Sequence, residues 1–266
     1  MDVPSRDPVP DARHAPFSDW AASWGRTLRF AGAALAATLA PSSYSPATRA
    51  VTVRQIYFTA WQILPLFLAF SALLSFIVIR IIVTAAGEFG LAQYALELVL
   101  RGIVLELTPL LTALFVALRS GAAIATEIAL MRVWGELEDL ERAGEEPLRR
   151  QFVPRVAAAA LSVVSLTALS CALTIVLAYL GQYGLSPWGF DEFTRTVGKV
   201  FDLPTLAGFA LKCALFGAAV AVIPISAGLE ADKRLKSAPV AVLGGMVRLF
   251  FVLALIEAAS LAARYV

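Results

Sequence analysis

Apolar positions run far longer in five parts of this chain than a soluble core helix requires: residues 56–83, 96–122, 156–180, 206–228 and 240–262. A helix rises about 1.5 Å per residue and the hydrocarbon core of a bilayer is about 30 Å thick, so each stretch is long enough to cross. Val156 to Leu180 carries no charged residue and is the clearest span. The second stretch is interrupted by Arg101, Glu106 and Arg119, and the fifth by Arg248 and Glu257. Ahead of them, residues 1–16 are polar and proline-rich and read as a flexible tail. Residues 17–40 interleave Trp20, Trp24, Leu28 and Leu35 with Asp19, Arg26 and Arg29. That pattern suits a helix in the headgroup layer, or a short soluble helix packed on the rest. The segment Pro41 to Pro46 ends it. The expectation is an all-α polytopic chain: a tail over 1–16, an interfacial amphipathic region over 17–55, and a transmembrane domain over 56–266.

Basic residues in the connections set the orientation. Arg132, Arg142, Arg149, Arg150 and Arg155 follow the second span, and Lys233, Arg234 and Lys236 follow the fourth. The segment 181–203 carries only Arg195 and Lys199, and residues 86–94 carry no lysine or arginine. The reading is a cytoplasmic N-terminus and an external C-terminus. In the external segment, Trp188, Phe190, Phe193 and Val197 interleave with Asp191, Glu192 and Arg195, which predicts a short amphipathic helix: an interfacial anchor or a seat for a partner.

Between the second and third spans, Gly121 to Glu141 is helical in period. Ile124, Ile128, Met131, Leu137 and Leu140 fall on one side and Arg132, Glu136 and Asp139 on another, with Gly144 and Pro147 ending it. Periodicity leaves surface decoration, dimer contact and partner docking open.

Composition agrees with the bilayer reading: 59% apolar residues against 16% charged, where soluble domains carry about 25% charged. A net charge of +2 without a concentrated basic face argues against nucleic-acid binding. Cys171 and Cys213 lie in apolar stretches and read as small hydrophobes, and the single histidine, His14, lies in the tail. There is no GxxxxGK[ST], GxGxxG, GxSxG or HExxH motif, so neither ATP hydrolysis nor hydrolase chemistry is expected of this chain, and no cofactor.

Charges inside spans are costly and usually face a partner or a watery cavity. Counting about 1.5 Å per residue from the outer ends, Glu106 lies about 15 Å deep, Lys212 about 9 Å and Glu257 about 10 Å. Two readings fit a lysine and two carboxylates at similar depth: an ion-pair set holding helices together, or a cluster bordering an outward-opening cavity.

The run Leu107-Thr108-Pro109-Leu110-Leu111-Thr112-Ala113-Leu114, continued by Arg119-Ser120-Gly121 through Met131-Arg132-Val133, then Glu138-Asp139-Leu140, Pro147-Leu148-Arg149 and Val153-Pro154-Arg155, resembles the signature of MlaE-type permeases of ABC lipid transporters. Weaker similarity extends from about Ile56 to the C-terminus. The resemblance implies a homodimeric permease in a bacterial inner membrane, moving phospholipid between that membrane and the periplasm. Implied partners are an ABC ATPase, a periplasmic MCE-domain protein and a STAS-domain regulatory subunit. It also implies that the helix after the second span couples to the ATPase, with Glu127, Arg132, Glu136, Glu138 and Asp139 as contacts. Matching permeases carry an Arg before the Glu of the second span; here that place is Leu105, and Arg101, one turn earlier, is the expected substitute. Lys212, Glu106 and Glu257 would then meet a phospholipid headgroup. A non-gating scaffold that binds lipid and anchors an MCE-domain protein is the alternative.

Overall fold

The computed structural model describes residues 16–43, 46–231 and 238–265, and these are helical with no strand. Most of the expected tail with His14, and Lys233, Arg234 and Lys236, lie outside the described residues. The helices are α1 (Pro16–Leu39), α2 (Arg49–Glu88), α3 (Ala92–Trp134), α4 (Glu136–Arg142), α5 (Leu148–Tyr183), α6 (Phe190–Val200), α7 (Leu203–Leu229) and α8 (Ala238–Arg264). Five of them, α2, α3, α5, α7 and α8, are long and apolar enough to cross a membrane. Together with the outward-facing apolar side chains of α2, such as Leu66, Phe70, Leu73 and Ile81, they make this an all-α multi-pass membrane protein.

Two boundaries differ from the hydropathy reading. The helix carrying the first span begins upstream of residue 56, with Arg49 already inside it. The second span continues unbroken to Trp134, so residues 121–134 extend the span rather than forming a separate element. The break comes at Gly135, whose φ of +79° is the left-handed conformation glycine adopts without penalty. After it, α4 starts in a new direction and ends before Gly144, another positive-φ glycine.

Burial runs opposite to hydropathy along the five spans. In α3, 61% of the apolar window is inside the protein, against 22% in α2 and in α8. The most charge-interrupted span is therefore interior, and the two of highest mean hydropathy, α2 and α8, face outward, although α8 carries Arg248 and Glu257. α7 is the hub, packing on α1, α3, α5 and α8. Phe67, Val163, Leu166, Phe216, Leu249 and Leu253 form the central core. Ile79, Leu100, Ile103, Leu105 and Phe193 close the end that carries α6, and Ala34, Ile128, Phe152, Val156 and Ile225 the end that carries α1.

Lipid tails are as apolar as leucine, so helices here associate by close fit, and small residues allow it. A Cβ on Gly228 would stand 2.7 Å from the Ala125 carbonyl oxygen, and one on Gly245 would overlap the Ala227 methyl. These glycines let α7 approach α3 and α8 approach α7. Gly228→Val is expected to force them apart at a cost of about 1–3 kcal/mol, as overpacked cores show. Thermal unfolding of the solubilised chain checks this, with Gly87→Ala, which meets nothing within 4 Å, expected to leave the midpoint unchanged.

Candidate functional site

A proline decides the geometry of the site. Pro109 carries no N–H, so the carbonyls that a regular helix or a wider turn would pair with residue 109, Leu105 and Val104, are released. The backbone just before it, Leu100–Leu107, is wound as a π-helix, in which Thr108 N–H bonds to Ile103 five residues back. Each freed carbonyl finds a donor on another helix. Lys212 Nζ of α7 lies 3.3 Å from the Leu105 oxygen, and Cys171 Sγ of α5 lies 3.4 Å from the Val104 oxygen.

Lys212 is 2% exposed and so requires compensation for the water it has lost. It donates to Glu106 Oε2, and Glu257 Oε2 of α8 stands 2.7 Å away. Arg264, also on α8, pairs with the other oxygen of Glu106. The Lys212 ammonium further lies 5.9 Å from the Phe216 ring centroid. Two cations and two carboxylates from three helices thus form a charge-balanced network, buried at Lys212 and Glu106 and partly buried at Glu257 and Arg264. Asp202 caps the start of α7 by accepting from Thr205 N–H at 3.1 Å, and the Thr205 hydroxyl first, then that N–H, hold its carboxyl below the usual range.

Sequence depth put Glu106, Lys212 and Glu257 in the outer half of their spans, and the structure places both carboxylates against Lys212. Arg101 is elsewhere: its Nε bonds to Glu97 at 2.8 Å, within α3 and half-exposed. Arg264 stands beside Glu106 instead. It follows Glu257 by seven residues, two turns along one helix face, and that spacing is a signal the sequence does carry. Its position at the end of the last span disguised it as a boundary marker.

The network borders a cavity of about 610 Å³ between α7 and α8. Lys212 and Arg264 line it alongside apolar Leu211, Leu215, Leu255 and Ile256. Polar groups at one part of an apolar cleft suit an amphiphile.

The five residues expected on the coupling helix separate. Glu127 pairs with the buried Arg155 at 2.6 and 3.3 Å, and Arg155 also donates to the Gln151 carbonyl at 2.7 Å, tying α3 to the start of α5. Arg132 is half-buried and turns toward α1. Glu136 and Asp139 stand exposed on α4, the latter 3.1 Å from Arg142, with Glu138 half-buried beside them.

Five helices long and apolar enough to cross a membrane, holding a charge network beside an apolar cleft, define a multi-pass membrane protein. The family described as "Permease MlaE" matches residues 52–262, and the chain belongs to that family. It is 27% identical to a probable ABC transporter permease protein of Rickettsia felis over 219 residues, 82% of each chain. It is 33% identical over 129 residues to a probable ABC transporter permease protein of Synechocystis, 47% of each chain. To the intermembrane phospholipid transport system permease protein MlaE of Haemophilus influenzae it is 31% identical over 154 residues, 56% of each chain.

The network sets a stability order. Lys212→Met leaves Glu106 and Glu257 buried with one cation between them and is expected to cost about 3–5 kcal/mol. Arg101→Gln breaks only a half-exposed pair and should cost less than about 1 kcal/mol. Thermal unfolding in one detergent ranks the two, and equal losses would contradict the assignment of Arg264 over Arg101.

Proposed function

We propose that this chain is the membrane permease of an ABC-type phospholipid transporter, with the tetrad Glu106, Lys212, Glu257 and Arg264 meeting the lipid headgroup at the edge of the α7/α8 cavity. The observation that carries this reading is the charge-balanced network on the wall of an apolar cleft. A headgroup phosphate arriving there competes with a carboxylate for Lys212 or Arg264, and the displaced carboxylate takes up a proton or a headgroup cation in turn. Acyl chains then lie along Leu211, Leu215, Leu255 and Ile256. Membership of the MlaE family and the phospholipid transport name of the Haemophilus relative support it.

In this reading the α1 and α4 end faces the cytoplasm and the α6 end the periplasm, in a bacterial inner membrane, as the basic loops indicate. Two copies form the transport unit. A separate ATPase docks on α4 through Glu136 and Asp139, and the Glu127–Arg155 pair passes its movement to α5. A periplasmic MCE-domain protein seats against α6, and a STAS-domain subunit acts through the ATPase.

Lys212→Ala and Glu106→Ala are each expected to lower lipid transfer by about tenfold or more in proteoliposomes holding the assembled transporter, with ATPase co-purification intact. Wild-type transfer by both would remove the headgroup role, whereas an ATPase that neither co-purifies with the chain nor depends on it for activity would favour a non-gating scaffold. Glu136→Lys combined with Asp139→Lys should reduce ATPase co-purification or uncouple ATP hydrolysis from lipid transfer. If neither quantity moves, α4 is not the docking element.

A further inference from the structure

At the opposite end of the bundle from the tetrad, a second cavity of about 410 Å³ lies under α1. Arg26 and Phe30 of α1, Arg132 of α3, and Ser226, Leu229 and Glu230 at the end of α7 enclose it. Its one carboxylate is already engaged. Glu230 accepts from Ser23 Oγ at 2.8 and 3.0 Å, pairs with Arg248 at 2.6 Å and lies 3.4 Å from Arg26. Ser226 is engaged as well, sharing a 2.9 Å hydrogen bond with Thr27. The two cavity arginines retain donor capacity: the Arg26 side chain is 61% exposed, and Arg132 Nε is buried with no hydrogen-bond partner.

Arg26 and Arg248 thus share the one cavity carboxylate while Arg132 lines the same cavity, and the lining is short of negative charge and of acceptor oxygens. Guanidinium presents a planar fork of N–H donors that matches phosphate oxygens, and a buried N–H without an acceptor favours any ligand that supplies one. Phe30 and Leu229 give the cavity an apolar side as well, which water-soluble phosphate does not use but the glycerol and first methylenes of a lipid do.

We infer that this cavity binds a phosphate group, that of an anionic phospholipid in the leaflet where α1 lies, held between Arg26 and Arg132. The bound phosphate bridges α1 to α3 and α7, so occupancy fixes the amphipathic helix against the hub of the bundle. The site shares no residue with the tetrad and stands whether or not the tetrad binds lipid.

The test follows backbone hydrogen exchange of α1 in the full chain, placed in phosphatidylcholine nanodiscs containing increasing phosphatidylglycerol. Exchange in α1 should slow saturably as phosphatidylglycerol rises. Arg26→Gln with Arg132→Gln should raise the half-saturating fraction by about tenfold or more. Arg26→Lys with Arg132→Lys keeps the charge and most of the structure, and should fall between the two. Arg29→Gln removes a neighbouring α1 charge outside the cavity and should behave as wild type. A response that Arg29→Gln abolishes as fully as the cavity double variant would be general surface attraction and would overturn the site, as would no response to phosphatidylglycerol or to inorganic phosphate. Slowing by inorganic phosphate alone in neutral detergent, lost in the double Gln variant, would support the phosphate chemistry and assign its source to free phosphate.

Discussion

The Lys212 ammonium, almost wholly removed from solvent in the middle of α7, is the constraint around which the outer half of the bundle is arranged. A charge in that position is tolerated only when every proton it carries has a partner. Three helices supply them: a carbonyl and a carboxylate from α3, a second carboxylate from α8, and a ring face one turn along α7 itself. The carbonyl is available only because Pro109 cannot donate to it. A backbone defect in one helix and a buried charge in another thus compensate each other, and neither is sensible alone.

Around that centre, hydrophobicity does little to hold helices together, because lipid offers the same environment. Contact between backbones does the work instead. Gly228 against Ala125 and Gly245 against Ala227 bring α3, α7 and α8 close enough for the charged groups to meet. α8 is tied at both ends by ions: Glu257 and Arg264 to the tetrad, Arg248 to Glu230. Movement of α8 relative to α7 therefore changes both ends of the bundle together, and the larger cavity lies between those two helices.

The connection after α3 shows how one residue partitions function. Had residue 135 not been able to adopt a left-handed conformation, the helix would have continued as one rod. With Gly135, one face of α3 through Ile124, Ile128 and Met131 buries against the bundle, Arg132 turns toward α1, and α4 carries the exposed Glu136 and Asp139 in a separate helix.

Much of this protein was legible in its sequence. Hydropathy and length determined an all-helical chain of five spans, since a bilayer admits few alternatives, and the depth of charged residues along those spans put Glu106, Lys212 and Glu257 in the same outer half. Counting along helices cannot say which face each residue takes or which helix it meets. Only the tertiary structure decided that the most charge-rich span is interior, that Arg264 and not Arg101 stands beside Glu106, and that Arg132 lines a cavity under α1. Each of these depends on rotation about a helix axis and on contact between segments distant in sequence, and those are set by packing that no single segment contains.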